Sequence, residues 1–354
     1  MSQPTTAALD GRRLYAQVIG TYRAYQGAIQ VQNKRIVIVK VGAREQDPLA
    51  WRLRCEASDF SARAKRATFT RLGYDVAEVE LPATVSVADF RRHIADANTD
   101  SEVSGVIVQL PVPARLAKQV RSIDPSKDLD QLTRRRGQAV CATADGMYRL
   151  LDPLLTSDDR VAVFGGKGFV GSGAVRLLRE HGHDPIVIDV ADSPAAARDA
   201  TALISSVGRP HWLSVQQVGD RSRKVILDSG FTPNPARTER PDQPVAFGDI
   251  HPGLYRLARY ATPVPGGVGP VEMAVLAERA LTKDLGATIP PWTYGGPQLG
   301  ALFTIGAELV SADILATRAH LAAPTTNRTD ARISPAPSRP TRPPSRSTKP
   351  EVER

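Results

Sequence analysis

Short runs of β-branched and aliphatic residues alternate along this chain with longer stretches in which apolar residues recur every three or four positions. The runs at 35–42, 74–81 and 105–110 predict strands, and the stretches at 58–72 and 87–98 predict the helices between them. Ser58 is the expected N-cap of the first of these helices and Gly73 its stop. An amphipathic helix is expected over 9–28, and the charged stretch 43–56 reads as an exposed loop. Pro111 and Pro113 break the third strand. A second series follows, with a helix over 145–155, strands at 161–164, 185–189, 202–208 and 224–230, and a helix over 171–182. An apolar helix over 271–285 is placed to return to the first half. Strands alternating with helices imply right-handed crossovers and parallel sheets. The expected fold is therefore α/β: two α/β domains flanking a cleft, the second of Rossmann type. Residues 1–155 would form the first domain, with a return segment over about 271–320, and residues 156–270 the second.

The turn after the run at 161–164 reads Gly165-Gly-Lys-Gly168-Phe-Val-Gly171, in which Gly166, Gly168 and Gly171 fit the G-x-G-x-x-G spacing. The first glycine permits the tight turn, the second lets backbone approach a pyrophosphate, and the third lets helix pack on strand. Alone this spacing is weak, and an ordinary βαβ turn would satisfy it. The run 185–189 strengthens it, because it ends in Asp189, near the distance of about 20 residues at which a carboxylate meets the ribose hydroxyls.

The chain has 354 residues, enough for two domains and a tail, and 42% of them are apolar, as in ordinary folded proteins. Its net charge of +9 raises nucleic-acid binding. No stacking or groove-reading motif accompanies that charge, and part of it lies in a Pro-, Ser- and Arg-rich stretch over 323–354, expected to be a disordered tail. The two cysteines, Cys55 and Cys141, have neither a disulfide framework nor zinc spacing. No apolar stretch reaches the ~20 residues of a membrane span, and the first residues carry no signal pattern. A soluble, cytoplasmic protein is expected, with no metal.

Several segments, in order, resemble the methylenetetrahydrofolate dehydrogenase/methenyltetrahydrofolate cyclohydrolase family: Leu9-Asp-Gly-Arg12, Val108-Gln-Leu-Pro-Val-Pro113, Asp124-Pro-Ser-Lys-Asp-Leu-Asp130, Ser206-Val-Gly-Arg-Pro210 and, most specifically, Thr262-Pro-Val-Pro-Gly-Gly-Val-Gly-Pro270. The resemblance covers roughly residues 9–285. It implies a homodimer that oxidises 5,10-methylene-tetrahydrofolate with NAD or NADP and hydrolyses the methenyl product to 10-formyl-tetrahydrofolate.

The resemblance also implies roles. Lys65 would exchange a proton with folate or with the attacking water. Gln109 would hold the lysine and substrate, and Asp130 would bind the pterin edge, with Asp128 holding the loop. Pro265, Gly266 and Gly267 would bring backbone close to the folate. The cofactor would meet Gly165, Gly166, Lys167, Gly168, Gly171, Asp189 and Phe231. Taken singly, each has a plainer reading: a solvated lysine, a strand-end glutamine, a loop-capping carboxylate, a rigid turn, a core phenylalanine.

Three departures stand out. Ser61 occupies the substrate-facing position where the family carries a tyrosine, one helical turn before the lysine, with Phe60 about 100° away. Gln131 replaces the glycine after Asp130, and 43–56 looks inserted. Asp189 would repel a 2′-phosphate, which favours NAD slightly, although Lys167 would offset that repulsion. The changes gather on the folate face. They leave open a diverged relative that binds NAD but acts on another small substrate, or serves as a non-catalytic binding or regulatory protein.

Overall fold

The computed structural model describes residues 6–133, 137–286, 289–294 and 303–304. The tail expected over 323–354 and most of the return segment past residue 286 lie outside the described residues. The chain opens with a two-residue strand, β1 (Ala7–Ala8), that joins the sheet of the second half. Helix α1 (Gly11–Tyr22) follows, capped by Asp10, whose Oδ1 accepts from the Arg12 and Arg13 amides. The helix expected over 9–28 is divided: a 3₁₀ turn at Arg23–Tyr25 separates α1 from α2 (Gln26–Val31).

The first half is built on three parallel strands. β2 (Arg35–Val41) lies centrally. After it comes α3 (Leu49–Arg71), then β3 (Asp75–Leu81), α4 (Val87–Thr99) and β4 (Val103–Val108). The strand order is β3-β2-β4, and β4 is buried along its whole length. The stretch expected as a loop over 43–56 is mostly helix. Leu, Ala, Arg and Glu there are strong helix formers, and Pro48, with φ −51° and ψ 140°, marks the start instead of Ser58. Ser58 is a buried residue in mid-helix. Charge marked an exposed helical face, not a loop.

A 3₁₀ helix at Ala114–Ser122 leads towards α5 (Ala142–Leu151). The second half then runs β5 (Val161–Phe164), α6 (Phe169–Glu180), β6 (Ile186–Ile188), β7 (Ala202–Ser205), α7 (Val215–Val218) and β8 (Arg223–Asp228). A small antiparallel pair, β9 (Thr232–Pro233) and β10 (Ala246–Phe247), precedes α8 (Pro252–Tyr255), β11 (Ala258–Ala261), α9 (Val268–Leu285) and β12 (Phe303–Thr304). The large sheet has the order β12-β1-β11-β8-β7-β5-β6, parallel throughout except at β12. β6 lies on one side of β5 and β7 on the other. The strand order therefore reverses at β5, where open α/β sheets bind ligands beyond their carboxyl ends.

Helices α5 and α9 tie the halves together. α9 packs on α1, α3 and α5. Its residues Ala274, Val275, Leu276, Ala277, Ala280 and Leu281 are fully buried, so it reads apolar nearly all round. The Arg149 guanidinium on α5 donates to Glu278 on α9 at 2.7 Å, bonds Asp145 and lies over the Trp292 ring. The packing of β1 and β12 on the second sheet separates the observed halves from a simple cut at residue 155.

Candidate active site

On the nucleotide side, β5 delivers the chain into the glycine turn. Gly165 has φ +74°, and a Cβ there would stand 2.7 Å from the Ser206 carbonyl oxygen. A Cβ on Gly171 would lie 2.2 Å from the Gly165 carbonyl oxygen, so the close approach of α6 to the turn requires glycine. Gly168 is the N-cap of α6, which begins at Phe169, two residues before the start expected from sequence, and the helix N-terminus opens at Gly166, Lys167 and Gly168. Asp189 follows β6. Its amide donates to Asp192 Oδ2 at 2.8 Å. Lys167 Nζ also meets Asp192 Oδ2, at 3.3 Å. These bonds hold the Asp192 carboxyl below its ordinary range. Two acids therefore stand beyond β6 beside the turn, and Lys167, expected to offset Asp189, is engaged by Asp192.

On the opposite wall, Lys65 projects from α3 and is 2% exposed. Its Nζ donates to Glu272 Oε1 on α9 at 2.6 Å and to Ser61 Oγ at 2.8 Å. Ser61, expected against the substrate, therefore serves the lysine in this structure. Burial alone would lower the ammonium pKa, but the charges of Glu272 and Asp130 outweigh it and the pKa is raised. Asp130 is buried, and its Oδ1 accepts from the Ala142 amide at 2.9 Å at the start of α5. Burial raises the Asp130 carboxyl; Lys65 opposes that shift and Glu272 adds to it. The Cys141 thiol is pushed up to about 12 by burial and by Asp130, so it is a neutral neighbour.

The loop carrying Asp130 is pinned by Asp128, which accepts from the Leu132 and Thr133 amides and from Thr133 Oγ1. Gln131 has φ +54°. It takes the left-handed conformation that glycine adopts freely, and its Nε2 donates to the Asp128 carbonyl at 2.9 Å. A glutamine thus holds a glycine-like turn through a local bond. Gln109, just after β4, is buried with its amide on the Val39 carbonyl, and its Oε1 has no protein partner. A buried carbonyl oxygen with no protein partner suits a ligand N–H.

The Pro265-Gly266-Gly267 backbone is held by α1. Arg12 Nη2 donates to the Pro265 carbonyl at 3.0 Å, and the Arg12 amide donates to the Gly266 carbonyl at 3.2 Å. Phe231 bridges the halves: its ring centroid lies 5.5 Å from that of Phe60. Phe60, expected to turn away, meets Phe231, with the Arg63 guanidinium over the Phe60 ring, 4.7 Å from its centroid.

Four acidic neighbours of the expected site escaped the sequence: Glu272, Asp192 and the buried pair Asp228 and Asp249. Asp228 accepts from the Tyr255 hydroxyl at 2.6 Å and from the Gly230 and Ile250 amides. Asp249 accepts from Ser205 Oγ and from the Val207 and Arg209 amides. Together they fix the loops beyond β7 and β8 that border the turn. Asp228, at the end of an apolar strand, offered a faint signal; Glu272 offered none beyond its place just after the proline–glycine signature.

The family model for the catalytic domain of tetrahydrofolate dehydrogenase/cyclohydrolase matches residues 9–130, and that for its NAD(P)-binding domain matches residues 141–285. The bifunctional protein FolD 1 of Mesorhizobium japonicum is 29% identical over 296 residues, covering 78% of this chain and 95% of that protein. The bifunctional protein FolD of Lacticaseibacillus paracasei is 28% identical over 241 residues, covering 64% and 82%. In fold the chain is similar to the Trypanosoma brucei methylenetetrahydrofolate dehydrogenase-cyclohydrolase solved with NADP and an inhibitor (TM-score 0.67, 24% identity, 80% of this chain and 98% of that one). It is also similar to the NAD-dependent enzyme of Saccharomyces cerevisiae (TM-score 0.59, 13% identity, 79% and 97%). With both halves matched in order, the chain belongs to the tetrahydrofolate dehydrogenase/cyclohydrolase family, and its second half is an NAD(P)-binding domain.

Proposed function

We propose that this chain oxidises 5,10-methylene-tetrahydrofolate to the 5,10-methenyl cation, passing a hydride to a nicotinamide dinucleotide, and that it retains some hydrolysis to 10-formyl-tetrahydrofolate. The observation that carries this reading is the buried pairing of Lys65 from α3 with Asp130 from the loop beyond β4, each close enough to shift the other's titration; Gln109, just after β4, adds a buried oxygen with no protein partner. Folate would lie between them. Asp130 would accept from the pterin amino and ring N–H groups, and its raised pKa leaves it able to share a proton with them. Gln109 Oε1 would accept a substrate or water N–H or O–H. Lys65 would donate to folate beside the reacting carbon. Pro265, Gly266 and Gly267 would form the backbone floor, and Ser61 would act through Lys65.

The cofactor supplies the hydride acceptor. Gly165, Gly166, Lys167, Gly168 and Gly171 would hold its pyrophosphate, Asp189 its ribose, and Phe231 its nicotinamide or adenine side. Asp189 and Asp192 together disfavour a 2′-phosphate, so NAD is the expected cofactor. A homodimer in the cytoplasm is the expected assembly and setting; light scattering of the purified protein reads the first. Among the described residues no helix is long and apolar enough to cross a membrane.

The test is formation of the methenyl chromophore from methylene-tetrahydrofolate with NAD and with NADP. Turnover that disappears in Lys65→Ala supports the reading. No turnover with either cofactor, alongside measurable NAD binding, favours a second reading. In that reading the Glu272 carboxylate has fitted the cleft to another small substrate.

A further inference from the structure

The Lys65 ammonium is not a lone cation waiting for substrate. It is 2% exposed and clasped by Glu272 at 2.6 Å, with Glu272 itself 13% exposed. Ser61, one turn away on the same helix, completes the clasp with a small hydroxyl at 2.8 Å. The groups facing Lys65 are Glu272 from α9, Asp130 from the loop beyond β4, and the neutral Cys141 thiol at the head of α5. Arg279 stands behind them, donating to the Leu129 and Val140 carbonyls and to Asp145. The balance around Lys65 is therefore anionic.

Resting on the folate reading above, we propose that Glu272 sets the partition between the two reactions of this cleft: it holds Lys65 as an ammonium donor, so that methenyl product is released faster than it is hydrolysed. In the hydrolytic step water oxygen bonds the methenyl carbon and one carbon–nitrogen bond breaks. The freed nitrogen keeps one of water's protons, and the other leaves to a base. An amine would be that base. An ammonium locked to a carboxylate has no lone pair to offer. Its positive charge, balanced by Glu272, still donates hydrogen bonds to bound folate. Burial left without the carboxylate would favour the neutral amine.

Glu272→Gln keeps the side-chain shape and removes the charge. Hydrolysis is followed on supplied methenyl-tetrahydrofolate without cofactor, and dehydrogenation with NAD, each from pH 6 to 9.5. Because each unit of pKa is a tenfold change in free amine, the ratio of hydrolysis to dehydrogenation at neutral pH should rise about tenfold or more. The alkaline rise in hydrolysis should move at least one unit lower. Titration of the Lys65 side chain by NMR, in wild type and variant, should show the same displacement. The titration does not depend on turnover, so it separates failure of this inference from failure of the folate reading. A fall in hydrolysis in Glu272→Gln would make Glu272 itself the base and overturn the proposal. An unmoved Lys65 titration would overturn it as well. Should the variant not fold, wild-type Lys65 titrating near neutrality would overturn it, and an ammonium persisting beyond pH 9 would support it.

Discussion

The two walls of the cleft are built by different means. The centre of the nucleotide wall is a local object: one strand, one turn and one helix, with Gly165, Gly166, Gly168 and Gly171 all within seven positions. The folate wall is assembled from α3, the loop beyond β4, the head of α5 and the start of α9, and Lys65 and Glu272 are 207 residues apart. The local wall keeps its backbone because Gly165 and Gly171 answer steric demands that no side chain can meet. The assembled wall tolerates replacement as long as charge and volume are balanced across it. Ser61 leaves Lys65 a hydroxyl partner and Glu272 supplies an anion; Gln131 supplies by a side-chain bond the turn that glycine takes without one.

Replacing the charge at the centre of the assembled wall should have the largest effect. Lys65→Met leaves Glu272 as an uncompensated buried carboxylate, which costs about 3–5 kcal/mol of stability when one partner of a buried pair is lost. Thermal unfolding of the single variant against Lys65→Met/Glu272→Leu checks this: the double variant should recover much of the loss. If the single variant is as stable as wild type, the pair is not the anchor of this wall.

The local wall should break sterically. Gly171→Ala places a methyl 2.2 Å from a backbone oxygen. NAD binding should weaken about tenfold or more, on the order of 1.4 kcal/mol, while hydrolysis of supplied methenyl-tetrahydrofolate changes less. Calorimetric titration with NAD reads the first and the chromophore the second. Equal losses in both would show that the walls are mechanically one.

Charge at the ribose end should give a smaller change. In Asp189→Ala/Asp192→Ser the ratio of kcat/KM for NAD over NADP should fall about tenfold, as expected when repulsion of a 2′-phosphate is removed. An unchanged ratio would place specificity elsewhere.

A further effect, on stability alone, concerns the large sheet behind the nucleotide wall. Burial alone would raise the Asp159 carboxyl, but the Lys224 ammonium and the Thr201 and Thr156 donors bring it down to about 2. A lowered carboxyl pKa stabilises the fold above its unfolded value of about 3.9, and that stability is lost as pH falls through about 2. Asp159→Asn should cost about 1–3 kcal/mol at pH 7 and shrink towards zero near pH 2. Denaturant midpoints at the two pH values measure it.

The pattern of the chain was enough to read β2 to β8, because most buried parallel strands are short apolar, β-branched runs; β11, Ala258-Arg-Tyr-Ala261, has no β-branched residue and was not read. The glycine turn was legible for the same local reason. The start of α3 was not, since charged helix formers at 49–57 look like loop when the face they cover is unknown. β1 was hidden because two residues carry no periodicity, and only pairing with β11 makes them a strand. Asp192 was passed over because Asp189 lay nearer the expected spacing.

The sequence by itself determined the two-part α/β plan, the dinucleotide turn and the presence of Lys65, Gln109 and Asp130, since each depends on neighbours within a few residues. Only the tertiary structure decided what those groups are to one another. A lysine's protonation state depends on burial and on charges brought within a few ångström by distant segments, and no spacing along the chain encodes the arrival of Glu272 from α9.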